Sequence, residues 1–286
     1  MYEIESRNIL TPQNGLNIYR GRTEDSILLT EIPGADSMDI GIKVDAPGLL
    51  AGVLKTRRNK GIILMGNLGD PYNIHEEKYM ITRNSLKIIE NYDYGVIINT
   101  RQKRILRDMD VLKGISRKTK CVVEIGFPSI DDSKLERLDG KETLDVKGRL
   151  ELIKTLADEG IDVIATLTPL IPFVNDDEGE LVKLIQMISD CGAKGFDLMD
   201  MRMAVKKSAR EFFYTEFKKR FPDEYKRFSN KYEESGELIA EGGKKLLEEM
   251  SGYCESLGLM CDTRKLKAWK RQYENKTVGV QMSLFD

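Results

Sequence analysis

Apolar residues along this chain arrive in short bursts separated by longer amphipathic stretches. Six bursts read as strands: 38–44 (MDIGIKV), 61–66 (GIILMG), 94–99 (YGVIIN), 121–127 (CVVEIGF), 161–167 (IDVIATL) and 195–199 (GFDLM). Each is a short apolar run bounded by Gly, Asp or Pro, the pattern of a strand buried on both faces of a parallel sheet. Helices are predicted over 47–58, 76–91, 145–159 and 176–190. The third carries Leu150, Leu152, Ile153 and Leu156 on one stripe and ends at Gly160, a good C-terminal cap. Strand–helix units of this length imply right-handed crossovers and a parallel sheet or barrel.

After about Met203 the texture changes. Residues 206–258 predict helix after helix, rich in Lys, Glu and aromatics (KKSAREFFYTEFKKRF, then ELIAEGGKKLLEEM). A last strand is predicted over 258–262, then a basic helix over 263–276 (TRKLKAWKRQYENK). The economical division is a barrel-like unit over 1–203, a helical extension packed on it over 204–276, and a flexible tail over 277–286.

Composition narrows the class. With 286 residues, 41% hydrophobic and 32% charged, the chain suits one large α/β unit with ample core. A net charge of −2 means that any nucleic-acid role needs a local basic patch. No apolar run reaches the ~18 residues of a bilayer span, so no membrane partner is expected. The opening MYEIESRNIL lacks the basic-then-apolar layout of a signal peptide. Cys121, Cys191, Cys254 and Cys261 lie far apart without CxxC spacing, which excludes a disulfide scaffold and points to a reducing cytoplasm.

Three strings carry candidate chemistry. The first is 66–73 (GNLGDPYN), with His75 and Glu76 close behind, at the C-terminal end of a predicted strand, where barrel enzymes place working loops. Its glycines let a ligand approach the backbone, and Asp70 and Asn73 supply acceptors and a donor. The same letters also make a good strand-to-helix turn. His75, the single histidine, is either a proton-transfer group or polar surface. The second string, 264–271 (RKLKAWKR), sets five basic groups beside Trp269. It reads as phosphate contacts plus base stacking, or as a solvated helix whose Trp packs on the barrel. The third is QMSLFD (281–286), which resembles short clamp-binding peptides of DNA-replication and repair proteins, with Met282 in place of the usual Leu. Gln281, Leu284 and Phe285 would then engage a sliding clamp, the last two as apolar anchors.

Taken together, 17–21 (NIYRG), 60–73 (KGIILMGNLGDPYN), 98–112 (INTRQKRILRDMDVL), 129–140 (SIDDSKLERLDG), 148–163 (GRLELIKTLADEGIDV) and 168–176 (TPLIPFVND) resemble the ordered strings of the spore-photoproduct-lyase-like branch of the radical SAM superfamily. The resemblance covers 17–176. It implies an open TIM-type (β/α)6 barrel with a helical C-terminal extension. It also implies a [4Fe–4S] cluster and reductive cleavage of S-adenosylmethionine to a 5′-deoxyadenosyl radical acting on nucleic acid or a related substrate, as in a DNA-repair lyase. Gly66, Asp70, Tyr72 and Glu76 then fall at contacts to the amino-acid end of S-adenosylmethionine or at site structure, with Thr100 and Arg101 ending the third strand. Pro169, Pro172, Asn175 and Asp176 mark the fifth-strand loop. The prolines also suit a strand end, and Asn175 or Asp176 a helix N-cap.

The resemblance has one break. Laid on the family's string without a gap, the three cysteine positions of C-x3-C-x2-C fall on Arg22, Ser26 and Leu29. Such a cluster is held by thiolates. Arg and Leu do not ligate iron, and Ser is a hard ligand for a soft site. The chain as written is therefore expected to be free of the cluster and inactive in radical chemistry. Three accounts of the block 22–37 stand side by side: a barrel that kept its shape and lost its chemistry, a local frameshift between intact flanks, and a protein that never held a cluster. A second class of reading is a non-catalytic module that binds nucleic acid or a sliding clamp.

Overall fold

The computed structural model describes residues 2–5, 9–11, 15–20, 27, 40–232 and 235–277. Six parallel strands lie side by side in chain order: β1 (Gly15–Leu16), β2 (Ile62–Met65), β3 (Gly95–Asn99), β4 (Cys121–Gly126), β5 (Asp162–Thr166) and β6 (Gly195–Asp197). Leu10–Thr11 pairs antiparallel with β1 at one edge. At the other edge Met260 makes a single parallel bridge to Gly195, which is what remains of the strand expected over 258–262. Among the described residues the strands form an open row.

The first place in this row is not taken by 38–44. Gly41–Ile42, the paired core of that burst, lies in a separate small sheet, parallel to Tyr2–Glu3 and antiparallel to Tyr19–Arg20. The place goes to Gly15–Leu16, two residues too short to leave a periodic signal. Gly15 has φ 69°, and a Cβ there would lie 2.2 Å from the Leu64 carbonyl oxygen. Glycine is what lets the 10–16 hairpin lie against β2.

Residues alternate between the two faces of the sheet. Val96, Ile98, Val123, Ile125, Val163 and Ala165 join the main core shared with the flanking helices. Ile97, Val122 and Ile164 point the other way into a second core, closed by Leu266 and Trp269 of the helix Thr263–Arg271. Both faces are thus buried, as the unbroken apolar runs predict. Val146–Asp158 starts on Asp145, whose carboxylate accepts from the Gly148 N–H at 2.7 Å, and Gly160 follows it at φ 77°.

Three expectations need correction. The helix over 76–91 is two helices, Glu76–Tyr79 and Ile81–Asn91, meeting at Met80 with φ 51°. Glu178–Asp190 is capped by Asp177, which accepts from the Glu180 N–H at 2.9 Å, and not by Asn175 or Asp176. After 203 the chain is not helical throughout, because Arg202–Ala204 and Glu237–Ile239 pair as an antiparallel ribbon. Strands of three residues in a charged stretch show no alternation to read. Phe213, Phe217, Phe221, Phe228 and Tyr232 pack with Leu138, Ile171 and Val174 as a third core. The helices Arg210–Arg220 and Pro222–Tyr232 therefore sit over the segments that follow β4 and β5. No described helix is long and apolar enough to cross a membrane.

Candidate functional site

The C-terminal ends of β2 and β3 are joined through one carboxylate. β2 delivers the chain into Gly66 at φ 92°, where a Cβ would lie 2.1 Å from the Asn99 carbonyl oxygen, so the loop leaves pressed against the end of β3. Asp70 then turns back. Its Oδ1 accepts from the Thr100 hydroxyl at 2.7 Å and the Tyr72 N–H at 2.8 Å, and its Oδ2 accepts from the Arg101 N–H at 2.8 Å. Burial raises the Asp70 pKa, and these donors pull against the rise. Asn73 closes the turn: its Nδ2 donates to the Asp70 carbonyl at 3.0 Å, and its Oδ1 accepts from the His75 N–H at 3.0 Å. Turn chemistry and candidate-site chemistry here are the same atoms.

Glu76 is fully buried and accepts from four residues. The donors are the Tyr19 hydroxyl at 2.6 Å, the Thr82 N–H at 3.0 Å, the Arg83 N–H at 3.3 Å and Arg107 Nη2 at 3.0 Å. It caps Ile81–Asn91 from outside that helix, and reaching its two amides is what breaks the predicted long helix at Met80. Arg107 continues to Asp108 at 2.9 Å, and Arg83 grips the same carboxylate at 3.0 Å. Burial, then Glu76, pushes the Tyr19 pKa well up. The Tyr72 ring is buried throughout, with its pKa also raised by burial.

Arg101 lies across the ends of three strands. Its Nε is 2.7 Å from where a Cβ on Gly126 would stand and 3.4 Å from Asp139, and its Nη2 reaches the Thr168 carbonyl at 3.5 Å. Asp139 is held in turn by Arg149 at 2.8 Å, both side chains buried. Asn175 ties the loops after β4 and β5. Its Oδ1 accepts from the Ile171 N–H at 2.8 Å, and its Nδ2 donates to the Pro128 and Pro169 carbonyls at 2.9 and 2.8 Å. Asp176 accepts from the Phe173 N–H at 2.8 Å. Both side chains are engaged inside the loop, which is why capping falls to Asp177. Pro169 and Pro172 lie in this same loop.

The structure thus brings Gly66, Asp70, Tyr72, Glu76, Thr100 and Arg101 to one end of the sheet. Asp70, Tyr72, Glu76 and Thr100 are buried, while Gly66 and Arg101 keep partial exposure. The half-buried His75 imidazole has its pKa lowered by burial, which leaves it neutral at pH 7. Sequence reasoning missed the roles of Tyr19, Arg107, Asp139 and Arg149. Tyr19 and Arg107 stood inside quoted strings, but nothing local marks them as partners of Glu76.

Arg22, Ser26 and Leu29 lie outside the described residues. Ile27, among them, is fully buried with the aromatic core, and its N–H donates to the Leu138 carbonyl at 2.9 Å. Cys121 opens β4 at the opposite end of the sheet, its thiol pushed up to about 12 by burial. Cys191 ends the helix Glu178–Asp190, and Cys254 and Cys261 adjoin each other on the β6 side. Among the described residues no group of three or more His, Cys, Asp or Glu side chains could hold a metal ion. With no thiolate donor over 22–29 and no cysteine at the loop ends of β1 to β3, the residues present do not fit a [4Fe–4S] cluster.

Trp269 is packed and not presented. Its ring lies with Ile62, Leu64 and Met260, with the Lys120 and Lys194 ammonium groups 4.6 and 4.8 Å from its centroid. Lys270 is buried in an ion pair with Glu124. Of the two readings of this string, the structure shows the Trp packed on the sheet, its indole lying against cations and aliphatic carbons. Arg264, Lys265, Lys267 and Arg271 stay exposed. Gln281, Leu284 and Phe285 lie outside the described residues.

Known proteins share this architecture. Two single-site mutants of spore photoproduct lyase superpose with a TM-score of 0.64, at 15% and 16% identity, over 91% of this chain and 80% of theirs. A third mutant of that lyase, with bound AdoMet and dinucleoside spore photoproduct, gives a TM-score of 0.59 at 14% identity over 78% of this chain and 66% of its own. The chain folds as spore photoproduct lyase does. That is the fold implied by the radical SAM resemblance. In sequence, 136 residues are 29% identical to MJ0683, an uncharacterized protein of Methanocaldococcus jannaschii; they make up 45% of this chain. The chain spans about half the length of that curated relative, 48% of it. No family model matches the chain.

Proposed function

We propose that this chain is a member of the spore-photoproduct-lyase-like group of the radical SAM superfamily. In this reading it binds S-adenosylmethionine at the C-terminal end of its sheet and, as written, carries no [4Fe–4S] cluster. The observation that supports the binding reading is the knot of Asp70 with Thr100 and Arg101 at the ends of β2 and β3, on this fold. The buried members act as positioning residues. Asp70 sets the Thr100–Arg101 corner and Glu76 sets the helix behind it. Gly66 and Arg101, the partly exposed members, are the ones placed to meet the amino-acid end of the ligand. A substrate related to nucleic acid accords with the dinucleoside held by one of the lyase structures. Reductive cleavage is not assigned to the chain as written, because its donor set lacks thiolates.

Calorimetric titration with S-adenosylmethionine tests the binding half, with Arg101→Ala weakening affinity by about tenfold through loss of a charge-assisted contact. An Arg101→Ala protein that binds like the parent, or a parent that does not bind, sinks it. Iron and sulfide assayed after anaerobic reconstitution test the other half. About four irons per chain, the content of a [4Fe–4S] centre, overturn the cluster-free claim.

A second reading, a clamp- or nucleic-acid-binding module, is favoured by the string QMSLFD and by four exposed cations on one helix. Pull-down on a sliding clamp with and without 281–286 tests it, and equal retention retires it.

A further inference from the structure

A cavity of about 380 Å³ opens at the N-terminal end of β2, the end away from the Asp70 knot. That volume lies within the range of small-molecule sites, about 300–1,000 Å³. Arg57, Lys60 and Arg271 line it, the first two from the turn before β2 and the third from the end of the last helix. None of the three makes an ion pair with a carboxylate among the described residues. The neighbouring cations are different: Lys118 lies 3.8 Å from both Glu90 and Asp93, and Lys120 is 2.7 Å from Glu274. In a chain of net charge −2, a trio that converges on a cavity without a carboxylate partner among the described residues is not a by-product of bulk charge. Like charges gathered without a counterion repel, and a bound anion reverses the sign of that interaction.

Lys60 and its turn are also held. The Lys60 ammonium sits 5.2 Å from the Tyr94 ring centroid and 5.8 Å from that of Tyr92. The buried Tyr94 donates its hydroxyl to the Asn59 carbonyl at 3.1 Å, which fixes the turn carrying Arg57 and Lys60. Leu10, Ile62 and Leu64 add aliphatic lining to the cavity. The three cations suit phosphate oxygens, for which the two guanidinium forks are well shaped. The aliphatic lining suits a less polar body attached to that phosphate.

We propose that this cavity is a binding site for a phosphorylated ligand of about nucleotide size, separate from the site at the other end of the sheet. It does not rest on the S-adenosylmethionine reading. The probes are ADP, inorganic phosphate and a short oligothymidylate, titrated calorimetrically into the full chain. The variants are Arg57→Ala with Lys60→Ala, and Arg271→Ala. All three side chains are exposed, so the variants are expected to fold, and melting curves check that they do.

ADP is expected to bind at least about tenfold more tightly than inorganic phosphate, and the double variant to lose about tenfold or more. Arg264→Ala, on the same helix but outside the cavity, and Arg101→Ala, at the other end of the sheet, are expected to bind ADP like the parent. No binding at millimolar ADP overturns the proposal, as does phosphate binding as well as ADP. A loss in Arg101→Ala overturns it by placing ADP at the opposite site. Oligothymidylate binding more tightly than ADP, with Arg264→Ala as damaging as the cavity variants, overturns it in favour of a nucleic-acid track.

Discussion

Two clusters, one at each end of the sheet, treat charge in opposite ways. At the C-terminal end, Asp70 accepts from three donors and Glu76 from four residues, and both are buried. At the N-terminal end, Arg57, Lys60 and Arg271 surround a cavity with no carboxylate against them among the described residues. A charge taken out of water has to be satisfied by the fold itself, since leaving it bare costs several kcal/mol. A charge at the rim of a cavity stays hydrated and can await a ligand. The motif residues that first suggest ligand contacts are therefore the ones the fold uses to hold itself, while the turn 57–60 leaves its two cations without a carboxylate among the described residues.

That contrast can be broken most directly at Glu76. Glu76→Ala leaves the Tyr19 hydroxyl and two helix amides without this acceptor and Arg107 with Asp108 as its carboxylate partner, and a loss of about 3–5 kcal/mol is expected in urea unfolding. A midpoint like the parent's would show that the buried knot does not carry stability. Asp70→Ala comes next, at about 2–3 kcal/mol, for stranded donors at Thr100, Tyr72 and Arg101. Thr100→Val, which removes one donor and keeps the shape, is expected to cost about 1 kcal/mol by the same measurement.

At the other end the expected effects on stability are small. Arg57→Ala or Lys60→Ala should move the unfolding free energy by no more than about 0.5 kcal/mol, because neither cation has a carboxylate partner among the described residues and both are exposed. A large loss there would erase the distinction between the ends. Asp110 gives the smallest effect. Arg83 holds its carboxyl down to about 2, so the pair contributes above the ordinary carboxylate range and is lost as pH falls toward that value. Asp110 is mostly exposed, so the contribution is about 0.5 kcal/mol or less. Comparing Asp110→Asn with the parent, the gap in Tm should close between neutral pH and about pH 2.

The fold was largely legible because β2 to β6 are buried on both faces and so appear as plain apolar bursts. β1 and the ribbon of 202–204 with 237–239 were not, since two or three residues cannot display a period. The helix break at Met80 was hidden for a different reason: its cause is a carboxylate that engages Tyr19 and Arg107, 57 and 31 residues away. In the basic string 264–271 the spacing was plain. Only packing separated Trp269 and Lys270, turned to the sheet, from Arg271 at the cavity.

By itself the sequence determined the strand order's raw material and the lack of thiolates over 22–29, because residue chemistry is inherited by any fold the chain adopts. The tertiary structure alone decided which polar groups are consumed and which are left over. Pairing between residues far apart in the chain depends on what packing brings together. Asp70 and Glu76 found their donors inside the fold, and Arg57, Lys60 and Arg271 were brought to one cavity with no carboxylate partner among the described residues.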